Sequence, residues 1–240
     1  MAVDEGNLAR NVVKLVKPPE YAPEERETWS QAEVRKFLRS AAKDRLHAAW
    51  RLSLYGLRRG EVLGLRWSDI DLKAQTLTVS QARVLVDYKV RIEPPKSRNG
   101  VRTLPLDAEL VSALTELRKR QARESATVGH VYRAGLDNLD WYAAGDEYVV
   151  TDALGIPMHP ESYSDEFTRL LMRAGLRKIR LHDSRHTTLS LMEKARVPIS
   201  IISKWAGHYD AAFTMRTYVH ASDEDLKQGT KTLAKIHKIA

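Results

Sequence analysis

The 240-residue chain contains no cysteine. That excludes a disulfide scaffold, a thiolate metal site and a cysteine nucleophile, and it fits a reducing, intracellular setting. No apolar run approaches the roughly 20 residues needed to span a bilayer. The opening stretch, MAVDEGNLAR, lacks the apolar core of a secretory signal. A cytoplasmic protein with no membrane partner is the expectation. Internal repeats and low-complexity runs are also missing. So is any convincing carboxylate cluster, which a two-metal nuclease would need for its ligands. What the chain does have is positive charge: 39 Lys and Arg against 31 Asp and Glu, a net +8, with a pI near 9.6. Such a balance points to a polyanionic partner, nucleic acid first, or to a basic enzyme whose charge is incidental. The 43% hydrophobic content supports a real core, and the length suits one large domain or two small ones.

Along the chain, residues 1–23 read as a linker or tail, broken by Pro18 and Pro19. Ser30 and Glu33 form an S-x-x-E capping signature ahead of Val34, Phe37, Leu38 and Ala41 at helical spacing. A second, apolar helix is predicted over 46–55, stopped by Gly56, and a short one over 61–66. The period then changes. Leu77 and Val79 alternate with polar neighbours, Val84 to Val86 continue an extended stretch, and Asn99-Gly100 is a strong hairpin signal between residues 91–96 and 101–106. Asp107 can cap a helix carrying Leu110, Ala113, Leu114 and Leu117 on one face. Residues 125–159 are the least regular. Helices follow over 161–174, 182–195, 198–206 and 210–218. The tail 221–240 carries Leu226, Leu233, Ile236 and Ala240 as an apolar stripe that must bury against something. The class is α+β, mainly α-helical with a small antiparallel sheet.

Four segments concentrate Arg, Lys, His and Tyr. Arg58 follows a helix-breaking glycine at the start of a new helix, where its planar fork can face an oxyanion; Glu61 can hold it. Taken alone, an Arg-Arg pair on a turn is more often solvated surface. Lys96 sits beside the Asn99-Gly100 turn, where it can hold a phosphate or donate a proton, or simply solubilise the turn. His182 and Arg185 share a helical face. His182 and His186 are also four apart, as a zinc pair would be. However, Asp183 replaces the Glu of H-E-x-x-H and an arginine intervenes, so His186 reads better as a core histidine. Gly207-His208 precedes a further helix, and Tyr218 lies near that helix's end within Met-Arg-Thr-Tyr-Val-His.

Arg58, a turn lysine, His182-x-x-Arg185, Gly207-His208 and Tyr218, in that order over about residues 28–220, resemble the catalytic domain of the tyrosine recombinase (phage integrase) family. Asn11 to Pro19 is similar to the linker preceding that domain in integrases of temperate phages and integrative elements. The resemblance implies the family's fold, with linker 1–23, catalytic domain 24–220 and tail 221–240. The tail would dock on a neighbouring protomer or on its own domain. It implies metal-free DNA cleavage and rejoining with no cofactor. Tyr218 would be the nucleophile, Arg58 and Arg185 the phosphate clamp, and Lys96 the general acid. His182 and His208 would serve proton transfer and phosphate binding, with Glu61 in support. Double-stranded DNA at attachment sites, a homo-tetramer on that DNA, and accessory DNA-bending or directionality proteins are the implied partners.

Ser184 and Ala206 depart from the family pattern, between His182 and Arg185 and before Gly207-His208, without removing a catalytic group. With no core-binding domain ahead of the linker, DNA binding is expected to be weak and steeply salt-dependent. A type IB topoisomerase-like strand transferase, a chemically inert basic DNA-binding module and a zinc hydrolase on His182 and His186 are the competing readings.

Overall fold

The computed structural model describes residues 27–95, 100–134, 136, 142, 147–208, 214 and 215. Helix α1 (Gln31–Ser40) begins as the capping signature requires: the Ser30 hydroxyl accepts from the Glu33 amide, and the Glu33 carboxylate accepts from the Ser30 amide at 2.8 Å. Helix α2 (His47–Leu54) is apolar on most sides because it runs through the core, with Ala48, Ala49, Trp50, Leu52 and Ser53 buried. It ends at Gly56, whose φ of +92° lies where other residues are strained. Helix α3 (Arg59–Gly64) follows at once.

Five short strands come next: β1 (Ile70–Asp71), β2 (Thr76–Val79), β3 (Ala82–Val86), β4 (Lys89–Glu93) and β5 (Arg102–Pro105). They form two antiparallel sheets, one ordered β1-β2-β5 and the other β3-β4. The hairpin expected between residues 91–96 and 101–106 is therefore corrected. β4 pairs with β3 through a two-residue turn at Asp87 and Tyr88, both at positive φ as such turns require. β5 pairs instead with β2, setting Leu77 opposite Leu104 and Val79 opposite Arg102. The reason is physical. Pro94 and Pro95 have no N–H to extend the β4 ladder, while Leu104 and Leu106 bury against the core side of β2. The Lys96 to Asn99 turn itself lies outside the described residues.

Helix α4 (Ala108–Val128) is capped by Asp107, which accepts from the Leu110 amide at 2.8 Å, and it runs further into the irregular stretch than its apolar face signals. Helices α5 (Pro160–Arg173), α6 (Leu181–Lys194) and α7 (Ile199–Ala206) complete the described elements. Thr214 and Met215 are also helical. The linker at 1–23, most of the expected 210–218 helix and the 221–240 tail lie outside the described residues.

The core is aromatic where α1, α2 and α5 meet. Trp50 stacks on Tyr163 at 4.5 Å, Phe37 lies 5.4 Å from Phe167, and Trp29 packs 5.2 Å from Phe37. The buried Tyr163 hydroxyl donates to the Ala49 carbonyl and meets Ser53 Oγ at 2.8 Å, so its polar tip is satisfied as burial demands. This core holds α2 rigid, and the end of α2 is where the site is built.

Candidate active site

The last carbonyls of a helix have no partner within it. At the end of α2, three successive carbonyls are taken up by side chains from α6 and α7. Thr188 Oγ1 donates to Leu54, Trp205 Nε1 to Tyr55 and Arg185 Nη1 to Gly56, at 2.6, 2.8 and 2.6 Å; Ser184 Oγ donates to Leu181 in its own helix at 2.7 Å and lies 3.3 Å from the Ser53 carbonyl. Together these bonds seat α6 and α7 against the turn that carries Arg58.

Arg58 stands at the N-terminal boundary of α3 in extended conformation. Its amide and Nη1 both donate to the Glu61 carboxylate, each at 2.8 Å. Its side chain remains 40% exposed, so part of its fork is open to solvent. Glu61 is buried and accepts from more than Arg58. Arg102 Nη1 and Nη2 donate to its two oxygens at 3.1 and 2.9 Å, and Arg185 Nη1 lies 4.0 Å away. Burial pushes the Glu61 carboxyl up. The bidentate bonds and charge of Arg102, with the charges of Arg58 and Arg185, outweigh that and hold it at about 2. Three guanidiniums around one carboxylate leave a positive excess, suited to an anion.

Arg185 is buried and fixed on several sides. Besides Gly56, its Nη2 donates to the Ala206 carbonyl and meets His208 Nε2 at 3.2 Å. A guanidinium only donates, so Nε2 accepts there. Nδ1 then carries the ring proton and donates to Thr214 Oγ1 at 2.7 Å. His208 reaches this position because Gly207 takes the left-handed conformation (φ +63°) at the end of α7. Burial, then the charges of Arg185, Arg58 and Arg102, pull the His208 imidazole down to about 4, so it is neutral at neutral pH.

Of the residues singled out from the sequence, Arg58, Glu61, Arg185 and His208 therefore converge. His182 lies on α6 one turn before Arg185, exposed, its ring edge-on to that of buried His186 at 5.0 Å. Among the described residues no group of three His, Cys, Asp or Glu side chains is placed to hold a metal. Lys96 and Tyr218 lie outside the described residues. Two contributors escaped the sequence reading. Thr214 gave no signal. Arg102 did give one: with Leu104 and Leu106 it continues the inward alternation of β5, and an arginine at an inward position needs a buried partner.

Residues 29–225 match the phage integrase family. A tyrosine recombinase XerC-like protein of Caldanaerobacter subterraneus subsp. tengcongensis is 31% identical over 97% of this chain and 61% of its own length. The ICEBs1 integrase of Bacillus subtilis is 26% identical over 91% of this chain and 57% of its own. The chain thus spans about three-fifths of the length of these relatives. Among solved structures, the Tn1549 transposon integrase in complex with transposon right end DNA superposes with a TM-score of 0.71 at 21% identity, covering 94% of this chain and 70% of that one. XerA recombinase gives 0.60 at 20% identity, covering 93% and 68%. The expected fold class, mainly helical with small antiparallel sheets, is the one these structures share. On the strength of the family match across most of its length, the chain belongs to the phage integrase family of tyrosine recombinases.

Proposed function

We propose that this chain is the catalytic domain of a site-specific DNA recombinase that cleaves and rejoins DNA without a metal, for integration or excision of mobile DNA. The observation that carries this reading is the convergence of Arg58, Arg185 and neutral His208 around the Glu61 hub. In this reading the scissile phosphate sits against Arg58 and Arg185. Their charge-assisted donors stabilise the extra negative charge of the pentavalent transition state. The Tyr218 hydroxyl attacks phosphorus as its proton leaves with help from His182, because a phenol with a pKa of about 10 is a poor nucleophile at neutral pH. The bond from phosphorus to the 5′-oxygen breaks, and Lys96 protonates the departing oxygen. The products are a 3′-phosphotyrosine and a free 5′-hydroxyl, and the reverse attack by a 5′-hydroxyl reseals DNA. His208 binds the phosphate once its ring proton moves to Nε2 and that nitrogen exchanges Arg185 for a phosphate oxygen, with Nδ1 then accepting from the Thr214 hydroxyl; Glu61 holds the arginines and does not react.

In the same reading residues 1–23 are the linker, 24–220 the catalytic domain and 221–240 a tail that packs on a neighbouring protomer. Its partners are double-stranded attachment-site DNA, further copies forming a tetramer on that DNA, and accessory bending or directionality proteins. Among the described residues no helix is long and apolar enough to cross a membrane.

The test is covalent capture. The chain is incubated in EDTA with a pool of nicked duplexes of randomised sequence, denatured, and scored for a protein–DNA adduct, with Tyr218→Phe alongside. The expected result is an adduct from the wild type alone, with DNA binding retained by the variant. An adduct from Tyr218→Phe would falsify the assignment of the nucleophile. Relaxation of supercoiled plasmid at no preferred sequence, without strand exchange, would replace the recombinase reading with a type IB topoisomerase-like one.

A further inference from the structure

Arg102 differs from the other two arginines of the cluster in where its donors go. Nε donates to the Trp205 carbonyl at 2.7 Å, Nη1 to the Gly100 carbonyl and to Glu61 at 3.1 Å each, and Nη2 to Glu61 at 2.9 Å. Its side chain is only 4% exposed. Every nitrogen of its fork is engaged by the protein itself, so it faces no ligand. What it joins to its own strand are two segments distant in sequence. Through Glu61 it reaches Arg58, since the same carboxylate oxygen, Oε1, accepts from both guanidiniums. Through the Trp205 carbonyl it grips the last turn of α7, while Arg185 takes the next carbonyl, Ala206. Two cations thus occupy successive orphan acceptors of one helix end, which is where the helix dipole favours positive charge. His208 follows directly after that turn. Through the Gly100 carbonyl, Arg102 also holds the residues that lead into β5, where a Cβ on Gly100 would lie 2.3 Å from Pro95 Cβ.

We propose that Arg102 is a positioning residue for the recombination chemistry: it fixes the spacing between Arg58, held through Glu61, and His208, held through the end of α7. This rests on the functional reading above. A lysine at this position keeps the charge but offers one compact ammonium instead of a planar fork, so it cannot satisfy Trp205, Gly100 and both Glu61 oxygens together. Misplacement of reacting groups by an ångström costs on the order of 100-fold in rate.

The experiment compares wild type and Arg102→Lys in the full chain, on the duplex that wild type captures from the random pool. The rate of adduct formation and the affinity for DNA are measured for each. The expected result is a rate lower by about 10- to 100-fold with affinity within about twofold. A merely structural role would not produce the third readout. On a duplex whose scissile phosphate is a neutral methylphosphonate, the demand on the arginine clamp is relaxed, and the gap between the two proteins should shrink to about threefold or less. Adduct formation by Arg102→Lys at the wild-type rate overturns the proposal, and so does a gap of undiminished size on the methylphosphonate. If Arg102→Lys does not fold, Arg102→Gln, which retains an amide donor for Trp205 or Glu61, is put through the same three measurements with the same criteria. Failure of wild type itself to form an adduct overturns the recombinase reading and this proposal with it, and so is distinguishable from failure of Arg102 alone.

Discussion

Glu61 is the residue on which the cluster's charge balance turns. Removing one partner of a buried ion pair is more damaging than the pair's net contribution suggests, because the remaining charges stay buried without compensation. Glu61→Gln keeps the shape and removes the charge facing Arg58, Arg102 and Arg185. It is expected to destabilise the fold by about 3–5 kcal/mol at neutral pH, measured by urea denaturation. The pH dependence carries a sign. The Glu61 carboxyl is held at about 2 in the folded state against an ordinary value of 4.5. Its contribution is therefore fully present above pH 4.5 and is lost as pH falls towards 2. The stability gap between wild type and Glu61→Gln should be widest above pH 4.5 and close below it. His208 acts in the same direction at higher pH. Its folded value of about 4 against 6.5 means that the unfolded chain takes up the proton first, so stability falls as pH drops from 6.5 to 4. A gap that stays constant from pH 6 to pH 2 would show that Glu61 is not the ionised hub.

At the scale of elements, the site depends on how helices end. The end of α2 gives its carbonyls to α6 and α7, and the end of α7 gives its own to Arg102 and Arg185. Gly207 is the residue that lets the chain turn sharply enough to bring His208 back: its amide donates to the Lys204 carbonyl and the His208 amide to that of Ser203, at 3.1 Å each. A side chain there sits in the left-handed region at a cost of roughly 1–2 kcal/mol. Gly207→Ala should therefore lower the melting temperature by about 2–8 °C in a chain of this size. If the Arg58, Arg185 and His208 arrangement serves phosphate chemistry, the same substitution should slow adduct formation more than the small loss of folded protein explains. Single-turnover cleavage well below the melting temperature separates the two effects. Gly64 makes a different demand: a Cβ there would stand 2.9 Å from the Arg83 backbone nitrogen. The glycine lets α3 lie directly on β3 and so fixes the base from which Arg58 projects.

For the whole molecule, the net charge of +8 and the positive excess around Glu61 act together. Binding to duplex DNA is expected to be dominated by phosphate contacts, and its affinity should fall with salt at a slope of about −0.9 per contacted phosphate. Even about three such contacts give roughly a 40-fold loss between 50 and 200 mM salt. Fluorescence anisotropy across that range measures the slope, and a flat profile would show that the charge is incidental to function.

The sequence alone determined what short-range physics determines. Ser30 with Glu33, and Asp107 ahead of its apolar stripe, mark helix starts because a side-chain oxygen can satisfy amides only two or three residues away. Gly56 and Gly207 mark helix ends for the complementary reason. The order of Arg58, Lys96, His182, Arg185, His208 and Tyr218 was also legible, since each belongs to a local segment whose composition is unusual. Strand partners were not. The Asn99-Gly100 signal is local, whereas the choice of β2 for β5 depends on burial against a core assembled from distant helices. Arg102 could be suspected from its inward register, but its role could not, because its partners lie 41 and 103 residues away. The ionisation of Glu61 and the neutrality of His208 were equally beyond the sequence. Both arise from burial beside three guanidiniums that only the folded chain brings together.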